Sequence, residues 1–211
     1  PEHIPSILTR CPEIMACGVA SGQELEQLLS RPSVLVIGPG LGRSPWSEQM
    51  LQAAAKSGLP MVVDADALNI LAEGRVLPDA QARENWLFTP HPGEAARLLG
   101  VTSAEINADR VASIASIQQK FGGAVILKGA GSLVLGETGV TGIVTAGNPG
   151  MATGGMGDVL SGIAGALIAQ GLSVEEAAQL SAVLHASAAD LAVEKIGQRG
   201  LIATDIIPYV S

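Results

Sequence analysis

Short apolar runs alternate with longer stretches of helical pattern along most of the chain. Val34-Leu35-Val36-Ile37 is wholly apolar and ends at glycine, which predicts a strand buried on both faces. Ser44-Pro45 supplies a good N-cap and a proline suited to a first helical position, so a helix is expected from there to about Gly58. Met61-Val62-Val63-Asp64 repeats the strand pattern, with a helix from Ala67 to Glu73 behind it, and Trp86-Leu87-Phe88 makes a third strand. A short helix to Leu99 follows the Thr89-Pro90-His91-Pro92-Gly93-Glu94 segment. Thr102 and Glu105 form a capping-box pair that predicts one helix to about Phe121. Ala124 to Leu127 is a fourth strand, and Ser132–Leu135 with Ile143–Ala146 flank a turn in the manner of an antiparallel hairpin. A long glycine-rich loop then leads to a helix over Val159–Ala169, and Ser173 with Glu176 caps another running to about Ile196.

Alternating strands and helices predict an α/β fold with a mostly parallel sheet flanked by helices and a small antiparallel hairpin. Ligands of such sheets sit beyond the carboxyl ends of the strands. Gly38–Gly42, Asp64–Asn69, His91–Glu94, Lys128–Ser132 and Asn148–Asp158 all fall at such ends.

Composition narrows the function classes. Hydrophobic residues make up 47% and charged residues 15% of 211 positions, which excludes a disordered chain. Aromatics are only 2%, so the core must come from Ala, Val, Leu and Ile. A net charge of −8 argues against a nucleic-acid or anionic-membrane binder, both of which need a basic face. It leaves room for an anionic small molecule held by backbone N–H groups and a few cations. Two cysteines make neither a disulfide framework nor a zinc quartet, and they fit a reducing cytoplasm. No apolar run approaches the roughly 18 residues of a membrane span.

The densest motif is Gly147-Asn148-Pro149-Gly150-Met151-Ala152-Thr153-Gly154-Gly155-Met156-Gly157-Asp158, which precedes an apolar helix. Glycines before a helix start let the amides of Gly154, Gly155, Met156 and Gly157 point into one small space. The helix N-terminus adds partial positive charge, so an anion hole is expected there. Asp158 stands where loop becomes helix; a lone Gly-Asp reads as an N-cap, but the glycine run favours a catalytic carboxylate. No G-x-x-x-x-G-K-[ST] sequence occurs, so a P-loop is unsupported. Gly38-Pro39-Gly40-Leu41-Gly42 is equally well a tight turn or a binding loop, since Pro39 removes an N–H. Lys128-Gly129-Ala130-Gly131-Ser132 places a cation and two glycines where a nucleotide can approach, or else forms a surface turn. His91 is held stiffly between two prolines, with no second histidine in a similar segment to share a metal. Asp64, Asp66 and Asn69 can touch a hydrated Mg²⁺, though capping of the following helix is the preferred reading.

Taken in order, VIGPGLGR, VVDADALNIL, TPHPGEAARLLG, VILKGAGS, GNPGMATGGMGDVLSGIAGALIAQG and RGLIATDI resemble the ADP/ATP-dependent NAD(P)H-hydrate dehydratases of the ribokinase-like superfamily. The resemblance runs from about Val34 to the C-terminus. It implies a ribokinase-like fold and ADP-dependent dehydration of hydrated NADH or NADPH (NADHX or NADPHX), with release of AMP and phosphate. It implies that Gly42, His91 and Asp158 contact the hydrated dinucleotide and that Lys128, Gly129, Ala130, Gly131 and Ser132 surround the adenine nucleotide. Gly157 is placed beside the phosphates, Asp158 as catalytic base, and Mg²⁺ as cofactor. Relatives begin the domain with an earlier strand and glycine-rich helix, so residues 1–211 are expected to be the larger, C-terminal part of one dehydratase domain. The alternatives are a small-molecule kinase of the same superfamily, of hydroxymethylpyrimidine or hydroxyethylthiazole type, and a non-catalytic nucleotide-binding module. The expected partners are small molecules and further copies of the chain, in the cytoplasm.

Overall fold

The computed structural model describes residues 3–77 and 82–210. Two short helices, α1 (Ile4–Arg10) and α2 (Gly22–Leu28), precede the first strand. Then come β1 (Leu35–Ile37), α3 (Pro45–Lys56), β2 (Met61–Val63), α4 (Ala65–Ala72), β3 (Trp86–Phe88), α5 (Pro92–Leu99), α6 (Ser103–Ala108), α7 (Arg110–Phe121) and β4 (Ala124–Leu127). The chain ends with β5 (Leu133–Leu135), β6 (Gly142–Ile143), α8 (Met156–Ala169), α9 (Val174–Ile196) and α10 (Ala203–Ile206).

The six strands lie side by side in sequence order. β1 to β4 are parallel, and β5 and β6 add antiparallel. This is the mostly parallel sheet that the alternating pattern predicts. One face packs on α3 to α7, through Leu51, Leu68, Leu98, Ile114 and Ile117. The other packs on α8 and α9, through Leu160, Ala164, Ala178 and Ala182. β2, β3 and β4 are buried at every position, as strands covered on both faces must be.

Four local expectations need correction. Val36 of β1 is 44% exposed, so this strand is not buried on both faces. β1 pairs only with β2 and forms the sheet edge; opposite Val36 stands Gly165, where a Cβ would come within 2.4 Å of Val36 Cγ2. The helix expected over 102–121 is two helices, because the Asp109 backbone leaves the helical conformation (φ −144°, ψ 87°) and its carboxylate accepts from the Ala112 N–H to start α7. α8 begins at Met156 rather than Val159, and its N-cap is Gly155 with φ +85°, a left-handed conformation that glycine adopts freely. The second hairpin arm pairs only over Gly142–Ile143, although the Val144 N–H still donates to Ser132 O at 2.9 Å. Ser21, which caps α2 by accepting from the Glu24 N–H, is a start signal that the sequence reading passed over.

Candidate active site

The carboxyl ends of β2, β3 and β4 converge on one buried ion pair. Asp64 follows β2 directly, is 1% exposed, and accepts from Lys128 Nζ at 2.7 Å and from Ser161 Oγ at 2.8 Å. Lys128 follows β4, and its ammonium also lies 3.8 Å from Glu94 Oε2. The preferred capping role for Asp64 is therefore not what the fold uses: its side chain makes no cap bond to α4 and is turned to the lysine instead. The next residue, Ala65, has φ +47°, the single non-glycine in the left-handed region among the described residues. Such a conformation costs on the order of 1 kcal/mol and persists only where its surroundings over-determine it. Asp66 does not cap either, since its Oδ2 accepts from the Gly42 N–H at 2.9 Å. Asn69 accepts from the Arg97 guanidinium at 2.9 Å.

The Gly38–Gly42 segment is a tight turn. The Leu41 N–H donates to Gly38 O, and Ser47 Oγ donates to Leu41 O at 2.7 Å. Gly38 has φ +126°, and a Cβ there would stand 1.7 Å from Asp64 O, so only glycine lets β1 and β2 end side by side.

His91 is the N-cap of α5. Its Nδ1 accepts from the N–H groups of Gly93, at 2.9 Å, and Glu94, while Glu94 Oε2 accepts from the His91 N–H at 2.7 Å. Nε2 lies 3.4 Å from Glu94 Oε1. An accepting Nδ1 means that the neutral ring carries its proton on Nε2. The stiffness expected from the flanking prolines is thus completed by a reciprocal capping box.

The Lys128–Ser132 loop is held from behind. Arg110 donates to the backbone oxygens of Ala130 at 2.8 Å, Gly131 at 2.9 Å and Leu127 at 3.1 Å. Sequence reasoning missed Arg110, because in one unbroken helix to Phe121 it stands at a mid-helix position; only the break at Asp109 puts this cation in a first turn, where it opposes the helix dipole and is used elsewhere. Asp190 of α9 does the same for the facing loop, accepting from the Gly147 N–H and from Asn148 Nδ2, each at 2.8 Å.

Between these loops lies a cavity of about 1020 Å³. It brings together His91, all of Lys128–Ser132, Met156 and Gly157. Gly42, Gly154, Gly155 and Asp158 do not line it. Asp158 is the exposed third residue of α8, one position beyond the cavity rim at Gly157, and it is not the N-cap. The Val159 N–H already donates to Gly155 O, so the free first-turn amides of α8 belong to Met156, Gly157 and Asp158. A Cβ at Gly157 would come 3.1 Å from Lys128 Nζ and 3.5 Å from Asp64 Oδ2; the absent side chain keeps the helix start against the ion pair.

No group of three or more metal-ligating side chains occurs among the described residues. Both oxygens of Asp64 are taken. The donor set therefore does not make a protein cage; an Mg²⁺ ion would have to arrive on nucleotide phosphates with most of its waters, since Glu94 too is buried, with Oε2 already accepting from the His91 N–H.

A mostly parallel sheet between two helical layers, with a glycine-rich loop leading into a helix beyond its strand ends, is the architecture of a ribokinase-like α/β protein. A ribokinase-like superfamily protein from Enterococcus faecalis has this fold: TM-score 0.78, 27% identity, covering 97% of this chain and 73% of that one. The ADP/ATP-dependent NAD(P)H-hydrate dehydratase from Bacillus subtilis, co-crystallised with ATP/Mg²⁺, aligns with TM-score 0.81 over 99% of this chain and 74% of its own; at 21% identity it speaks for the fold alone. The chain belongs to the NAD(P)H-hydrate dehydratase family, whose model matches residues 1–211. It is 48% identical over 210 residues to the bifunctional NAD(P)H-hydrate repair enzyme Nnr of Coxiella burnetii, covering 100% of this chain and 42% of that protein. It is 42% identical over 212 residues to the ADP-dependent (S)-NAD(P)H-hydrate dehydratase of Neisseria meningitidis, covering 96% of this chain and 69% of that protein. The chain thus spans well under half the length of the bifunctional relatives.

Proposed function

We propose that the chain carries the ADP-dependent dehydratase activity, restoring NADH or NADPH from its hydrated form. The observation that carries this reading is the one cavity lined together by Lys128–Ser132, the first turn of α8 and His91. An adenine nucleotide lies along Lys128–Ser132 with its phosphates toward Gly157. Lys128 and the amides of Met156 and Gly157 meet the phosphate charge. The expected anion hole moves one or two residues forward, because α8 starts at Met156 and its first free amides follow from there.

Hydroxide is a poor leaving group, so the ring hydroxyl is first converted to a better one. Asp158 accepts the hydroxyl proton as the oxygen attacks the terminal phosphoryl group of ADP, and AMP leaves. Phosphate then departs from the ring carbon, the neighbouring carbon gives up a proton, and the ring double bond forms. Mg²⁺, when bound, neutralises phosphate charge. Gly42 and His91 border the same strand ends and position the dinucleotide. Asp64 reaches no reactant; its pairing with Lys128 keeps that cation aimed along the cleft.

A small-molecule kinase would use the same base and anion site but keep the phosphate on its product. One assay separates the readings: hydrated NADH and ADP are mixed with the protein, and NADH absorbance is followed beside free phosphate. Equal growth of both signals, absent without ADP, is expected. Nucleotide consumption with no rise in NADH absorbance would overturn the dehydratase reading, and tight ADP binding with no turnover of any kind would leave a binding module.

A further inference from the structure

The wall of the cavity formed by α9 carries one polar side chain that the scheme above leaves unused. His185 is 7% exposed, lines the cavity between Ala182 and Ala186, and its Nε2 is buried without a hydrogen-bond partner. Buried polar atoms are satisfied in the great majority of cases, so an orphan one beside a cavity points to a partner that arrives with the ligand. The surrounding wall is apolar, built from Ile126, Val144, Leu160 and the two alanines. That lining suits a flat heteroaromatic ring, with a few placed polar groups to fix its orientation. Burial also pushes the His185 pKa down to about 4; the polar contact of the ring with the Met156 backbone works against this and raises it, and the Lys128 charge lowers it further, but burial prevails. The ring is therefore neutral at ordinary pH and adds nothing to the attraction for phosphate.

We propose that His185 is a binding residue for the nucleoside part of the nucleotide, hydrogen-bonding through Nε2 to a neutral heteroatom of the base or sugar seated on the apolar wall of α9. The proposal rests on the nucleotide reading of the cavity. It divides recognition by chemistry: Lys128 and the α8 amides hold charge, and His185 distinguishes a nucleoside from a bare phosphate chain.

Calorimetric titration of ADP and of pyrophosphate, each with Mg²⁺, tests it on the wild type, His185→Phe and His185→Gln. Phe fills the space without a hydrogen bond, whereas Gln keeps a donor and an acceptor at similar reach. The Phe variant is expected to bind ADP roughly tenfold more weakly, as for one lost hydrogen bond to a buried group, with pyrophosphate affinity unchanged and Gln recovering most of the loss. If Phe does not fold, His185→Leu takes its place in the same comparison. Unchanged ADP affinity in the folded variant would overturn the proposal alone. Equal losses for ADP and pyrophosphate would overturn it too, making His185 a support for the adjacent start of α8. No ADP binding by the wild type would remove the nucleotide reading itself.

Discussion

Asp64 and His185 show how single residues in this fold are set by their surroundings. Asp64 is buried and shared between Lys128 and Ser161. Removing one partner of a buried pair is strongly destabilising, about 3–5 kcal/mol where both charges are enclosed. Lys128 keeps 20% exposure and a second carboxylate at 3.8 Å, which softens the loss. Asp64→Ala is therefore expected to cost about 2 kcal/mol, read from denaturant unfolding; a loss under about 0.5 kcal/mol, as at an ordinary surface site, would contradict the pairing. His185 makes a pH prediction. The unfolded imidazole gains its proton near 6.5, the folded one only near 4. As pH falls through that window the unfolded state binds the extra proton, so the fold loses stability; above it the full stability is present, and below it this residue causes no further loss. His185→Phe should flatten the stability profile between those pH values by up to about 3 kcal/mol. Parallel profiles for variant and wild type would show that the ring is not buried neutral.

The elements that hold the site are coupled by side chains from outside it. Arg110, at the start of α7, ties two backbone oxygens of the Lys128–Ser132 segment and that of Leu127, at the end of β4, to its own helix. Lysine in its place keeps the charge but not the planar fork. Arg110→Lys is expected to cost about 1–2 kcal/mol in unfolding free energy, by loss of charged hydrogen bonds to carbonyls. A variant as stable as the wild type would mean that the loop stands by itself. This coupling was not legible in the sequence, because α6 and α7 read as one helix. The capping box at Thr102 was plain, but Asp109 looked like an ordinary polar surface position seven residues into it. Its role as a second N-cap, with Arg110 next to it turned toward the loop, emerges only from the tertiary contact. The strands were the opposite case: β3 stands where the apolar run Trp86–Phe88 put it, since a short enclosed run has few alternatives.

Across the whole molecule, the alternation of strands and helices from β1 to α9 and the gathering of motifs beyond the carboxyl ends of the strands followed from pattern, whereas α1, α2, α10 and the break between α6 and α7 did not. The parallel strands β1 to β4 bring Asp64, His91 and Lys128 to the same side because each directly follows or closely trails a strand end. What pattern could not reveal was which polar groups spend themselves on one another. The expected capping by Asp64 failed because a half-buried lysine outcompetes a helix amide for a buried carboxylate. Asp158 went the other way: α8 starts earlier than its apolar stretch suggests, so Gly155 becomes the cap and leaves the carboxylate exposed, with no hydrogen bond or ion pair to another described residue. An unspent carboxylate in the first turn of a helix, next to amides that suit phosphate, is the feature on which the proposed chemistry turns. The direct measurement is the turnover of hydrated NADH by Asp158→Asn beside its calorimetric affinity for ADP. Asparagine cannot take the hydroxyl proton, and a positioned general base is worth about 10²–10⁴ in rate. The account predicts turnover reduced at least about a hundredfold with ADP affinity equal to or slightly above that of the wild type, since a negative charge near the phosphates is gone. Turnover above about a tenth of wild type, smaller than the usual general-base effect, would contradict the assignment of Asp158 as the base.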